Sequence, residues 1–125
     1  MGKALDLVNS FYDLTNNRNQ TDGLEEMLSE DMTFAGPLIR TAGSPDYIKM
    51  LGQFIRFHKG WKMLKQFEDG NDVCSIYEIE LGTPSGGGTF SVVTADWIRV
   101  SGSGKIAEQR IYYDPREFSK AFGMQ

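Results

Sequence analysis

The sequence predicts an α+β fold, with three helices packed on the concave face of a curved, mixed but mostly antiparallel sheet. Three observations carry that prediction. Apolar residues before Trp61 recur at helical spacing, whereas after it they alternate as in strands. The strand-like segments are separated by glycine-rich turns, which favours hairpins and antiparallel pairing. A chain of 125 residues buries roughly two thirds of its unfolded surface. That suffices for one core and not for two, so residues 1–125 are read as a single domain.

The elements follow in order. Residues 4 to 17 carry a broad apolar face built from Leu5, Leu7, Val8, Phe11, Tyr12 and Leu14, and Asn16, Asn17 and Asn19 end it. Thr21 is placed to cap a short second helix, with Asp22 and Glu25 near its positive end and Leu24, Met27 and Leu28 on its buried side. Met32 to Ile39 reads as a short strand broken at Gly36-Pro37. Ser44-Pro45-Asp46 is a helix start, with a capping serine, a proline in the first turn and then an acid. Ile48, Leu51, Phe54 and Ile55 share a side of that helix, and it is expected to stop near His58-Lys59-Gly60.

The second half is read as sheet. Ser75, Tyr77, Ile79 and Leu81 alternate with Ile76, Glu78 and Glu80, which puts the two glutamates on the solvent face. Pro84 to Gly88 is a turn. Thr89 to Val100 is a long strand rich in β-branched and aromatic residues. Ser101 to Gly104 makes a hairpin, Lys105 to Tyr113 is the last strand, and Asp114-Pro115 closes it.

Composition narrows the function. Thirteen basic and 17 acidic residues leave a net charge of -4, a poor match to nucleic acid or anionic lipid. Cys74 is the single cysteine and His58 the single histidine, which excludes an internal disulfide and multi-cysteine or His-rich metal sites. Any catalysis must run on carboxylates, tyrosines and backbone groups, with no cofactor and no metal. No segment approaches the ~18 apolar residues of a membrane span. The N-terminal run Met-Gly-Lys-Ala-Leu-Asp lacks the apolar core of a signal peptide. A cytoplasmic location is therefore expected, and the Asn19-Gln20-Thr21 sequon is without consequence there.

Two motifs fail on context. Gly102-x-Gly104-x-x-Ala107 has the spacing of a dinucleotide fingerprint but lies between two strands, where no helix N-terminus meets a pyrophosphate. Gly104-Lys105 lacks the remainder of a P-loop. The Glu25-Glu26 and Glu30-Asp31 pairs read as solvated acids, and Cys74 as a small filler. His58 reads as a solvated cation at a helix end, with a general base at a pocket rim as the alternative.

Two polar groups stand where the pattern points inward. Tyr12 shares the apolar side of the first helix with Leu5 and Val8, and Asp96 occupies the alternation Val92, Thr94, Asp96, Ile98. A carboxylate there costs free energy unless it is paired or neutralised.

With those residues, the order of elements resembles the nuclear-transport-factor-two-like superfamily. The resemblance rests on Asn17 through Asp22-Gly23-Leu24, Met27-Leu28-Ser29-Glu30-Asp31, the glycine Gly43 before the third helix, and Gly104-Lys105-Ile106 in the last hairpin. The superfamily includes ketosteroid isomerases, SnoaL-like polyketide cyclases, limonene epoxide hydrolases and scytalone dehydratase. The resemblance implies a cystatin-like cone of three N-terminal helices on a strongly bent sheet, with an internal pocket and a homodimer. Aligned with ketosteroid isomerase, the oxyanion-hole tyrosine falls on Tyr12 and the protonated aspartate on Asp96. The isomerase's base, an aspartate before a proline, falls on Gly36, so no carboxylate stands there.

The same register turns Gln109, Ile111 and Tyr113 toward the pocket, with Phe34, Leu51, Ile55, Tyr77 and Ile98 completing an apolar wall for a small hydrophobic ligand. Asp114, at the strand end near the pocket mouth, is the candidate replacement acid or base, with a cap on the Asp114-Pro115 turn as the alternative. Asp96 has two open readings: a neutral donor to an oxyanion, or an ionised partner of Arg40, Arg99 or Arg110. Tyr12 either shares the oxyanion or bonds a backbone carbonyl. The functional expectation is a pocket for a small carbonyl or phenolic compound, with isomerase- or cyclase-type proton transfer. The alternatives are a non-catalytic binding module and a dimeric interaction module. Ile76, Trp97 and Tyr112 point outward on the sheet, where a second copy is expected to cover them.

Overall fold

The computed structural model describes residues 2–123. Helix α1 spans Lys3–Tyr12 and runs into a π-helical turn over Asp13–Asn17, so helical structure reaches Asn17 as expected but in a wider coil. The amide of Arg18 reaches back to the Asp13 carbonyl at 3.0 Å, the five-residue step of that coil. The expected second helix is a single 3₁₀ turn over Leu24–Glu26. Gly23 precedes it in the left-handed region at φ 86°, and no side chain caps it. Thr21 contributes only its backbone carbonyl, to the Leu24 amide. Leu28, assigned above to that helix, instead begins a strand.

Strand β1 covers Leu28–Ala35 and stops at Gly36, and β2 is a short return over Arg40–Ala42. Helix α2 runs from Ser44 to Ile55. Its N-cap is Gly43 at φ 91°, with no side-chain cap bond, so Ser44 is a buried member of the first turn and not the cap. The helix ends before His58, which opens strand β3 (His58–Asp69). Strands β4 (Asp72–Gly82), β5 (Thr89–Val100) and β6 (Ile106–Tyr112) follow. A further helix, α3 (Arg116–Phe122), was not anticipated, so the helices are not all N-terminal.

The six strands form one sheet in the order β2-β1-β6-β5-β4-β3. Only the β1–β6 pair is parallel; the other four pairs are antiparallel. Register shifts in β1–β6, β3–β4 and β5–β6 bend the strands. On β4 the inward residues Val73, Ser75, Tyr77, Ile79 and Leu81 are buried, as are Val92, Thr94, Asp96, Ile98 and Val100 on β5. Glu78 and Glu80 are exposed, as the alternation predicts. Against this face pack Val8, Phe11 and Tyr12 of α1 and Tyr47 of α2, with Ile48, Met50 and Leu51 half-buried beside them. No helix among the described residues is long and apolar enough to cross a membrane.

Candidate functional site

The inner face of the sheet and the helices line a partly open cavity of about 130 Å³. Its walls are mostly apolar, with Phe11, Phe34, Leu51, Phe54, Ile79 and Ile111 among them. The polar groups of the carboxyl cluster enter from five elements. Tyr12 comes from α1, Tyr47 from α2, Tyr77 from β4, and Gln109 from β6; all converge with Asp96 of β5.

Asp96 is 0% exposed. Its partners follow from sheet register. Asp96 pairs with Ser75 on one side and Ile111 on the other, so Tyr77 and Gln109 are its diagonal neighbours. The Tyr12 hydroxyl donates to Asp96 Oδ2 at 2.7 Å, and the Tyr77 hydroxyl to the same oxygen at 3.4 Å. Gln109 Nε2 reaches Oδ1 at 2.9 Å and Oδ2 at 3.0 Å. Its own amide oxygen accepts from the Tyr47 hydroxyl at 2.6 Å. The result is a closed chain from Tyr47 through Gln109 to Asp96 and the two other phenols.

No arginine joins it. Arg99 is bound to Asp72 and Glu108, and Arg110 to Glu108, all outside the cavity. Of the two readings of Asp96, the arginine pair is therefore absent from the described contacts. Burial raises the Asp96 pKa to about 6, against the lowering effect of bonds from Tyr12, Gln109 and Tyr77. Burial also drives all three phenols well above the ordinary tyrosine value, and the Asp96 charge adds to that. They remain hydroxyl donors at any ordinary pH. Tyr12 bonds a side chain and not a backbone carbonyl.

The other expected residues divide. Phe34, Leu51, Tyr77, Gln109, Ile111 and Tyr113 line the cavity. Ile55 and Ile98 do not: Ile98 is spent in the packed core at 0% exposure, and Ile55 is buried at 6% exposure outside both that core and the cavity lining. Asp114 is also outside the lining. Its carboxylate is exposed and held by Arg116 at 2.6 Å, and it accepts from the Arg116 amide that opens α3. Those bonds lower its pKa to about 2, so the capping alternative describes it. His58 is not a solvated cation. It lines the cavity, and burial lowers its pKa to about 4 against the pull of the Thr15 carbonyl.

Three of the cavity residues that escaped the sequence reading bear on the site. Tyr47 stands four residues before Leu51, a spacing that already put it on the same side of α2. Asn16 was read only as a helix terminator, yet it lines the cavity. Phe118 arrives on α3, whose Phe118 and Phe122 at helical spacing before Gly123 were the available signal. Gly36 does line the cavity, and a Cβ there would meet Ile111 Cγ2 at 3.0 Å.

The SnoaL-like domain family matches residues 8–109. The chain belongs to that family. This SnoaL-like chain is also 30% identical to an NTF2-like protein of unknown function from Cytophaga hutchinsonii. There 92% of this chain and 93% of that one are covered, with a TM-score of 0.76. A steroid delta-isomerase from Pseudomonas aeruginosa shares the fold at TM-score 0.79 and 20% identity, covering 98% of this chain and 88% of that one. A putative polyketide cyclase from Xanthomonas campestris matches at 0.75 and 20% identity, covering 95% and 96%. No curated protein matches this SnoaL-like chain.

Proposed function

We propose that the cavity of this chain binds a small, mostly apolar carbonyl or phenolic compound, whose oxygen is met by Tyr12 and Asp96. One observation carries the reading: a fully buried carboxyl group without a cationic partner, bonded by Tyr12 at 2.7 Å, faces an otherwise apolar cavity. Two hydroxyl-type donors in a dry site stabilise negative charge developing on a bound oxygen. In the free protein the Tyr12 hydroxyl is spent on Asp96. The ligand oxygen must therefore insert between them or take over the proton of a neutral Asp96.

The fold relatives support proton-transfer chemistry of isomerase or cyclase type on such a compound, with Tyr12 and Asp96 as oxyanion stabilisers. A second reading, binding without turnover, draws support from Gly36, where the isomerase base falls, and from Asp114, which Arg116 holds outside the cavity. The two separate by experiment. A naphthyl methyl ketone is titrated into the protein, and exchange of its methyl protons is followed in deuterated water. Binding that weakens in both Tyr12→Phe and Asp96→Asn supports the shared reading; unchanged affinity in both refutes it. Exchange above the buffer rate identifies an enzyme, and binding without exchange identifies a binding protein.

A second copy of the chain is proposed to cover the outer sheet face. Phe67, Val93, Trp97 and Tyr112 are exposed there, and Phe67, Cys74, Trp97 and Tyr112 line a shallow groove. Light scattering at micromolar concentration that returns a monomer refutes this.

A further inference from the structure

Two buried polar atoms of the cavity wall have no partner among the described residues: Asn16 Nδ2 and His58 Nδ1. Native structures leave few such groups unexplained. Both belong to one neighbourhood, because the Thr15 carbonyl lies against the His58 imidazole and Asn16 is the next residue. That neighbourhood is separate from the carboxyl cluster: neither atom bonds Tyr12, Tyr47, Tyr77, Asp96 or Gln109. His58 pairs with Leu81 on β4, whereas Asp96 pairs with Ser75, six positions away on the same strand.

The local backbone accounts for Asn16. The π-turn over Asp13–Asn17 inserts one residue relative to an α-helix and changes which side chains face inward. Thr15 is buried, with its hydroxyl back-bonded to the Phe11 carbonyl at 3.0 Å. Asn17 faces out, joined to Asp13 and to the Trp61 indole. Asn16 between them keeps a free amide group.

The two atoms are chemically complementary. Asn16 Nδ2 is a donor and nothing else. His58 Nδ1 has no partner, and on a neutral imidazole it donates or accepts according to the tautomer. His58 is neutral above about pH 4, so this end carries no charge to hold a carboxylate. A group that accepts from Asn16 Nδ2 and can either donate to or accept from His58 Nδ1 is a hydroxyl.

We propose that Asn16 and His58 form a second polar subsite of the cavity, and that the ligand is an uncharged, largely apolar compound carrying a hydroxyl at the end remote from its carbonyl or phenolic oxygen. The proposal rests on the pocket reading above and adds the second oxygen to it. A water needs about 10–15 Å³ of such space. The cavity of about 130 Å³ therefore holds on the order of ten non-hydrogen atoms, the size of one or two fused or linked rings.

The test compares matched probes by calorimetry: 2-naphthol against 2,6-dihydroxynaphthalene, and 4-phenylphenol against 4,4′-dihydroxybiphenyl. In the unaltered protein at least one dihydroxy probe is expected to bind about ten-fold tighter than its partner, the effect of one or two added hydrogen bonds. The symmetry of the probe explains a factor of two and no more. In Asn16→Leu and in His58→Phe that ratio is expected to fall toward two, whatever happens to the affinity of the monohydroxy probe. Monohydroxy binding with ratios of two or less overturns the subsite and leaves the pocket reading standing. A ten-fold ratio that survives both substitutions also overturns it. Binding of no probe overturns the pocket reading and the subsite together.

Discussion

Replacing Asp96 by asparagine is expected to make the protein's stability less sensitive to pH. The Asp96 carboxyl titrates near about 6 in the folded chain, against 3.8 for an ordinary aspartate. Folding thus favours its protonated form. The group's contribution is most favourable below the unfolded value and is lost as pH rises through about 6. The gap between the two values corresponds to roughly 3 kcal/mol over the whole window. Integrated between pH 4.5 and 7.5, it amounts to roughly 2 kcal/mol. Asparagine keeps one oxygen for Tyr12 and Tyr77. Its amide nitrogen then faces Gln109, whose side chain accommodates it by turning over and accepting, with the Tyr47 hydroxyl taking the reversed bond. Urea unfolding of both proteins at both pH values is the assay, with equal m-values as the check that the unfolded states match. All other titrations cancel in the difference. The wild type is expected to lose roughly 2 kcal/mol relative to Asp96→Asn on going from pH 4.5 to 7.5. Parallel behaviour refutes a raised pKa. A relative gain by the wild type refutes its sign, and means a carboxylate stabilised in its ionised form.

Other perturbations reach the same site from different sides. Tyr12→Phe removes a bond that lowers the Asp96 pKa, so carboxyl-carbon NMR is expected to show Asp96 titrating above about 6 in that variant, with a stability cost of about 1–3 kcal/mol. Gly36→Asp returns a carboxylate to the cavity wall, and its Cβ presses on Ile111 Cγ2 at 3.0 Å. A cost of about 1–3 kcal/mol in stability is expected, with methyl-proton exchange of a naphthyl methyl ketone rising above that of the parent chain. Phe118→Ala removes a ring stacked on Phe122 at 4.5 Å. It is expected to cost about 1–3 kcal/mol and to reduce the near-ultraviolet dichroism of the aromatic cluster.

Where the sequence was legible, strict periodicity made it so. The two-residue alternation of β4 and β5 leaves one choice of face, and it turned Tyr77 and Asp96 inward without any structural information. Tyr12 and Gln109 followed from the same logic and from family register. The cluster itself was not legible, because bonds such as Tyr47 to Gln109 join residues 62 positions apart and depend on how α2 crosses the sheet. His58 was misread because its neighbours Lys59 and Gly60 look like a helix end. In the fold a strand begins there, and tertiary burial overrides the local signal. Asn16 was lost to a one-residue change of helical pitch, which propensity does not report. Ile55 and Ile98 are buried, yet neither borders the cavity, and Ile98 is taken up by the core cluster.

Helix α3 has seven residues, too few to persist as an isolated helix in water. Its order comes from rings: Phe118 and Phe122 against Phe54, Phe57 and Phe90, with Tyr113 beside them. Phe118 is at once a member of that stack and a wall of the cavity. Detaching this one short segment exposes the interior while the six-stranded sheet stays intact, a local opening of the low-energy kind. On the pocket reading proposed above, how long a guest stays inside is governed by the aromatic contacts of the C-terminal segment. How tightly it is held is governed by the polar groups at the cavity's ends. Residence time and affinity are separate properties of this fold, adjustable by substitutions that share no contact.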